Sequence, residues 1–303
     1  MTYHPPRALG LLVGLSALAA LLAVDAALAG YVLRNLLALP GFIALLVLLA
    51  SLPAVALVAY RTYSLLRSRY VVGRNALVVE WGGQRLVLPL GMVEEARPGT
   101  GIEGEVRPRG VWWPGSVVGR ALVEGLGEVE FLASTGKEGL VLVCHPDGWL
   151  ALSPSDPSAF LDAVAAAREQ GVEEVVPPKA VPPAFQRWDL WQDWAALGLI
   201  AAGGLSVLLL LGYLTLIAPQ LPPEIALHFN AQGQPDRFGP PSGLLLLPVI
   251  AGLAWLVNTT AGVWLHRYPQ ERTATYLLLG ATVFVQALVW VATIALLTAG
   301  NAA

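Results

Sequence analysis

The residues best placed to do chemistry lie between positions 219 and 241, in PQLPPEIALHFNAQGQPDRFGPP. His228, Asn230 and Asp236 supply an imidazole, an amide and a carboxylate, groups that serve proton transfer, hydrogen-bonded recognition or metal ligation. The turn formers Asn230-Ala231-Gln232-Gly233 and Pro235-Asp236 fold the backbone sharply, which brings the three side chains within reach of one another. One histidine, one aspartate and one amide are too few donors for zinc, and a hydrogen-bonded turn anchored by His228 is the expectation instead. Hydrolysis would use His228 as base and Asp236 as its orienting partner. Ser206 and Ser242 stand at no recognisable spacing from a base, and G-x-S-x-G and H-E-x-x-H motifs are absent. No catalytic or metal-binding residue is assigned and no cofactor is expected. His228, Phe229, Asn230, Gly233, Pro235, Asp236 and Gly239 form a candidate functional loop.

The elements that must position this loop are apolar. The chain has 303 residues, of which 56% are hydrophobic and 13% charged, with a mean hydropathy of +0.63. Water-soluble domains carry about 25% charge, so this composition belongs in a membrane. The formal net charge is −3 and the only lysines are Lys137 and Lys179, so no basic surface exists to grip nucleic acid. A single cysteine, Cys144, excludes a disulfide scaffold and a zinc ribbon.

Five apolar runs are long enough to cross about 30 Å of hydrocarbon as helices. They cover Ala8 to Ala29, Leu36 to Tyr60, Trp194 to Ala218, Leu244 to Leu265 and Ala274 to Thr298. Arginine and lysine gather at Arg61, Arg67, Arg69 and Arg74, at Lys179 and Arg187, and at Arg267 and Arg272, which makes those flanks cytoplasmic. The opposite side holds Arg34 and Arg237. The expected N-terminus and middle region are therefore inside the cell, with the C-terminus and the 219–241 loop outside. Arg7, an apolar run and Ala27-Leu28-Ala29 before Gly30 also fit a cleaved secretory signal, and either reading preserves the topology downstream. Trp188, Trp191 and Trp194 recur before the third span and suit the lipid headgroup zone, so Trp188 and Trp191 are candidate lipid-facing residues.

Between about Arg69 and Gln170 the periodicity changes to short alternating segments broken by turn residues, the pattern of antiparallel sheet. Residues 77–81 and 84–88 flank Gly82-Gly83 as a hairpin. Residues 128–132 and 140–144 are expected to pair as a second hairpin, and 140–144 to pair onward with 149–153. Asp156 then caps a helix that starts with Pro157, presents Phe160, Leu161, Val164 and Ala165 on one face and stops at Gly171. This strand-then-helix order, with Ser153-Pro154, Asp156-Pro157 and Phe160-Leu161 near its end, resembles bacterial pleckstrin-homology-like domains. One helix after many strands suggests a small barrel or sandwich plugged by it, and the resemblance implies a seven-stranded sheet and a C-terminal helix. It does not carry a phosphoinositide pocket with it, because acidic residues outnumber basic ones between Arg61 and Leu190. Arg74 and Arg85 flank the first hairpin as candidate lipid contacts. Gly101 to Gly119 reads as a long exposed loop in which Arg109, Trp112 and Trp113 are the candidate partner-binding residues.

After the helix, Pro177-Pro178 and Pro182-Pro183 favour an extended, semi-rigid strut that spaces the domain from the bilayer. The chain thus divides into two spans over 1–62, the sheet domain over 63–171, the linker over 172–192 and a three-helix membrane domain over 193–303. In that last part Leu221, Pro222, His228, Phe229, Asn230, Gly233, Pro235, Asp236 and Gly239 resemble the hallmark of a bacterial membrane domain of unknown function found with SdpI-type immunity proteins. The fold class is a five-helix transmembrane bundle with an inserted cytoplasmic antiparallel β domain. The functional expectation is a non-enzymatic sensor, scaffold or immunity-like regulator, with the lipid bilayer and another membrane or cytoplasmic protein as partners. A small permease using Asp25, Asn258 and Gln286 as a polar path is the alternative, with a membrane hydrolase behind it.

Overall fold

The computed structural model describes residues 1–101, 108–109, 113–135, 139–171, 177–183, 187–232 and 234–300. Trp112 and Gly233 lie outside the described residues. In chain order the helices are α1 (Ala8–Arg34), α2 (Leu39–Leu66), α3 (Pro157–Glu169), α4 (Trp194–Ile217), α5 (Leu246–Leu265) and α6 (Arg272–Gly300). All but α3 are long and apolar enough to cross a membrane, and they are the five expected spans. The strands are β1 (Thr2–Tyr3), β2 (Arg69–Val72), β3 (Ala76–Trp81), β4 (Gln84–Pro89), β5 (Glu95–Pro98), β6 (Val117–Val123), β7 (Gly127–Ala133), β8 (Val141–His145), β9 (Gly148–Leu152), β10 (Lys179–Val181), β11 (Ile225–Phe229) and β12 (Pro235–Gly239). The chain divides into two compact units, Met1–Val24 with Ser51–Arg187 and Asp25–Ala50 with Trp188–Ala303.

In the first unit the strands lie in two five-stranded sheets, ordered β1-β2-β3-β4-β10 and β5-β8-β9-β7-β6, which is the sandwich form of the expected domain with more than the seven strands that the resemblance implied, and no barrel closes. The Gly82-Gly83 hairpin forms as expected, with Trp81 opposite Gln84 and Gly82 in the left-handed region at φ +61°. The second expected hairpin does not form. Strand β9 lies between β7 and β8, parallel to β7 and antiparallel to β8. The Ser134 backbone N–H donates to Ser153 Oγ at 2.7 Å, so the end of β7 is tied to the residue after β9 and not to β8.

Helix α3 starts as the sequence dictates: the Asp156 carboxylate accepts from the Ala159 N–H at 3.0 Å and Pro157 takes the first turn. Its buried face is Phe160, Val164 and Ala167, whereas Ala165 is exposed. Phe160 packs with Leu65, Tyr70, Leu77 and Val79 in the main core. The Tyr70 hydroxyl is buried there, donates to the Leu132 carbonyl at 2.7 Å and accepts from the Ser153 N–H at 3.3 Å, which links β2 to the second sheet. Burial in that core pushes its phenol well above the usual range.

Two features depart from the sequence reading. The proline-flanked linker is extended, but it is not a free strut. Lys179–Val181 pairs antiparallel with Arg85–Val87 and becomes an edge of the first sheet, because an extended backbone with free N–H and C=O groups satisfies them best on an open strand. At the opposite edge β1 pairs with β2, the Met1 ammonium donates to the Val72 carbonyl at 2.7 Å and the Tyr3 hydroxyl donates to the Ala159 carbonyl at 2.9 Å. The segment before α1 and the segment after α2 therefore share one sheet, so the first two spans leave and return on the same side.

In the second unit α4, α5 and α6 pack through notches and inter-helix hydrogen bonds. A Cβ at Gly203 or Gly204 would run into the Trp255 indole, so this small-residue pair is what lets the ring approach α4. Trp255 Nε1 donates to the Ile200 carbonyl at 2.9 Å, Trp290 Nε1 to Ser206 Oγ at 3.0 Å and Gln286 Nε2 to the Ala251 carbonyl at 2.9 Å. Of the polar path considered for a permease, Gln286 and Asp25 are buried, Asn258 is half-buried, and no hydrogen bond joins Asn258 to Gln286.

Candidate functional site

The loop between α4 and α5 is a β-hairpin. β11 and β12 pair with Ile225 opposite Gly239, Ala226 opposite Phe238, His228 opposite Arg237 and Phe229 opposite Pro235. The register slips on either side of His228, which re-aims its side chain as a bulge does. Ile225 and Ala226 are buried, and Ile225 packs with Leu214 and Leu244, so the hairpin base is seated on the ends of α4 and the turn that begins α5. Gly239, opposite Ile225, leaves room for the Leu227 side chain, whose end a Cβ there would displace.

On this frame His228 Nδ1 and Asp236 Oδ1 stand 2.6 Å apart, with side chains 66% and 44% exposed. Asn230 is not part of that pair. Its Oδ1 accepts from the Gln232 N–H at 3.0 Å and the Gln234 N–H at 2.8 Å, and its own N–H donates to the Gln234 carbonyl at 2.9 Å. Asn230 therefore builds the turn, Phe229 and Pro235 close it, and His228 with Asp236 forms its polar display. A hollow of about 600 Å³ lies against the hairpin, lined by Leu227, Leu244, Leu247 and Leu296 and by the polar groups of His228, Arg237 and Ser242. Ser242 makes no hydrogen bond to His228, so the serine-to-imidazole contact on which acyl-transfer triads depend is not made. Among the described residues no group of three or more His, Cys, Asp or Glu side chains could hold a metal ion.

The opposite end of the same three helices carries a polar cluster that sequence reasoning missed. Asp193 Oδ1 accepts from the Ala196 N–H at 3.0 Å and so caps α4. Asp193 Oδ2 accepts from the Tyr276 hydroxyl at 2.6 Å and stands 2.9 Å from His266 Nε2, at the C-terminal end of α5. These hydrogen bonds, that of Tyr276 foremost, hold the Asp193 carboxyl far below the usual carboxylate range. Arg272 lies 3.6 Å from Asp189, and the Arg267 guanidinium stacks 4.5 Å from the Trp188 ring. An aspartate just before an apolar run was the available signal for the cap. Its partners lie 73 and 83 residues away and no local spacing reveals them.

The remaining candidates are dispersed. Trp191 is 53% exposed, as a headgroup-level indole would be, while Trp188 is half-covered by Arg267. Arg85 is exposed and lies 3.7 Å from Glu80, and Arg74 is exposed just before β3. Arg109 is exposed, with its backbone N–H donating to the Arg120 carbonyl at 2.8 Å. Trp113 is not a free anchor: half-buried, it donates from Nε1 to the Gly10 carbonyl at 3.3 Å in α1. Gly10 and Gly115 permit that approach, because a Cβ on either would overlap the other's backbone.

Residues 68–167 match the family model of the bacterial PH domain, and residues 205–252 match that of a domain of unknown function, DUF1648, which is found in SdpI-like membrane proteins. Neither is an enzyme family. An uncharacterized protein from Archaeoglobus fulgidus is 36% identical over 70 residues, 22% of this chain, and the match spans 38% of that relative's length. No solved structure matches the chain. The protein is a multi-pass membrane protein that joins a bacterial PH domain to a DUF1648 domain.

Proposed function

We propose that the protein is a non-enzymatic regulator of the bacterial inner membrane, a sensor, scaffold or immunity-like protein that couples an extracytoplasmic hairpin to a cytoplasmic PH-like binding domain. The observation that carries this reading is the β11–β12 hairpin itself. It presents the exposed His228–Asp236 pair beside an apolar hollow, a surface suited to recognition, with no serine–imidazole contact of the kind that acyl-transfer triads use. The arginine-rich flanks at Arg61 to Arg74 and at Arg267 to Arg272 support a cytoplasmic sheet domain, and the pairing of β1 with β2 supports an N-terminus on that same side. The hairpin, at the far end of α4 from Asp193, then faces outward.

The test is crosslinked affinity purification of the full chain from native membranes, with an Asp236→Ala/His228→Ala chain as control. Recovery of a specific protein by the wild type and its loss in the control is the expected result. Turnover of a substrate by purified protein, with no partner recovered, would end the regulator reading.

A further inference from the structure

Where α2 runs out of its apolar stretch into the sheet domain, the structure contains a cavity of about 400 Å³ whose charged lining is cationic, Arg61 and Arg109, beside the Trp81 indole, the Gln84 amide and the Tyr60 and Ser64 hydroxyls. Arg61 and Tyr60 come from the last two turns of α2, Trp81 and Gln84 flank the Gly82-Gly83 turn, and Arg109 closes another side. Leu57, one turn earlier on α2 and 38% exposed, continues the wall toward the hydrocarbon.

Three facts say that something belongs there. Trp81 is only 3% exposed, yet its Nε1 has no hydrogen-bond partner among the described residues, and a buried indole N–H is seldom left unpaired. Neither Arg61 nor Arg109 has a carboxylate within ion-pair distance among the described residues. Glu130, the acid that Gln84 reaches at 3.4 Å, is shared with Arg120 at 3.7 Å. Two guanidiniums and an indole N–H offer donors and no acceptor, so their natural guest is an acceptor-only anion, and the planar fork of arginine matches phosphate oxygens. The position selects the source. Arg61 and Tyr60 sit at the end of a transmembrane helix, the depth at which lipid phosphates lie.

We propose that this cavity binds the phosphate of an anionic membrane phospholipid, with Arg61 and Arg109 as its charge partners and Trp81 Nε1 as a directed donor. The lipid fastens the end of the second span to the turn of the first sheet, and does so independently of the hairpin between α4 and α5.

The experiment uses the full-length protein, delipidated in neutral detergent. Thermal unfolding is followed with added phosphatidylglycerol, phosphatidylcholine or inorganic phosphate, and retained lipid is counted by native mass spectrometry. Phosphatidylglycerol should raise the unfolding temperature and remain bound, and Arg61→Gln with Arg109→Gln should weaken its apparent affinity about tenfold or more. Arg109→Gln alone, at an exposed position, keeps the test open if the double variant misfolds, and should weaken binding in the same direction. Equal lipid retention by folded wild-type and Arg109→Gln protein would overturn the proposal. Saturation by inorganic phosphate, with no further effect of phosphatidylglycerol, would overturn the lipid source and assign the site to free phosphate.

Discussion

Asp193 Oδ2 stands 2.9 Å from His266 Nε2, so the residue that caps α4 holds the residue that ends α5. The Tyr276 hydroxyl reaches the same oxygen from α6, and one carboxylate thereby ties three helix ends. His266 has a side chain only 3% exposed, and removing its partner would strand a buried imidazole. Asp193→Ala should therefore cost about 3 kcal/mol, read as loss of thermal or denaturant resistance in detergent. A double-mutant cycle with His266→Ala isolates the contact, and strict additivity would show that the pair contributes nothing.

The same carboxyl gives a pH dependence of known sign. Its pKa is depressed in the folded protein, so its stabilising contribution is complete above the unfolded value of about 4 and is lost as pH falls through the lower folded value. The stability gap between wild type and Asp193→Asn should be constant near neutrality and narrow only below about pH 4. A gap that instead closes as pH rises from neutral would contradict the arrangement.

The His228–Asp236 pair should behave in the opposite way. Both side chains are largely in solvent, where such pairs contribute little. His228→Ala should change unfolding stability by less than about 1 kcal/mol and leave abundance in the membrane unaltered, while partner recovery falls. Collapse of folded protein would make the histidine a structural anchor only.

Gly203 should tolerate no side chain of size. A Cβ there meets Trp255 and Thr282, so Gly203→Val should overpack the α4–α5 contact by about 1–3 kcal/mol. Gly198→Ala, on the same helix with nothing near the added methyl, should be neutral or slightly stabilising.

Cys144 should be a sluggish thiol. Partial burial, and the Glu94 carboxylate 3.6 Å away, raise its pKa and lower its thiolate fraction at neutral pH. Maleimide labelling should accelerate with rising pH and in Glu94→Gln. With Cys144→Ser as background, a Gln232→Cys probe in the hairpin should react with an impermeant reagent on intact spheroplasts. Failure to label until the membrane is opened would reverse the proposed orientation.

What the sequence made legible follows from the range of the forces involved. The five spans, the Gly82-Gly83 hairpin and the Asp156 cap rest on signals a few residues long, and each is where the pattern placed it. The order of β7, β8 and β9 depends on which strand wins a neighbour across the sheet, and a turn-like stretch between β7 and β8 pointed to the wrong partner. The pairing of β10 with β4 is hidden for a related reason: proline pairs announce extension but not the edge that receives it. At the hairpin, proximity of His228 to Asp236 could be read from the turn residues, whereas the turn-building role of Asn230 needed the backbone geometry. Asp193 was visible only as a polar residue among tryptophans.

The outermost strands of the first sheet, β1 and β10, come from Met1 to Tyr3 and from Lys179 to Val181, beyond the stretch 68–167 that matches the PH family. A soluble excision limited to that stretch would leave β2 and β4 with raw, hydrogen-bond-hungry margins that invite neighbouring copies to stack. Insolubility of such a fragment would therefore report missing borders, not an unstable core, and grafting both short flanks back should restore a monodisperse species.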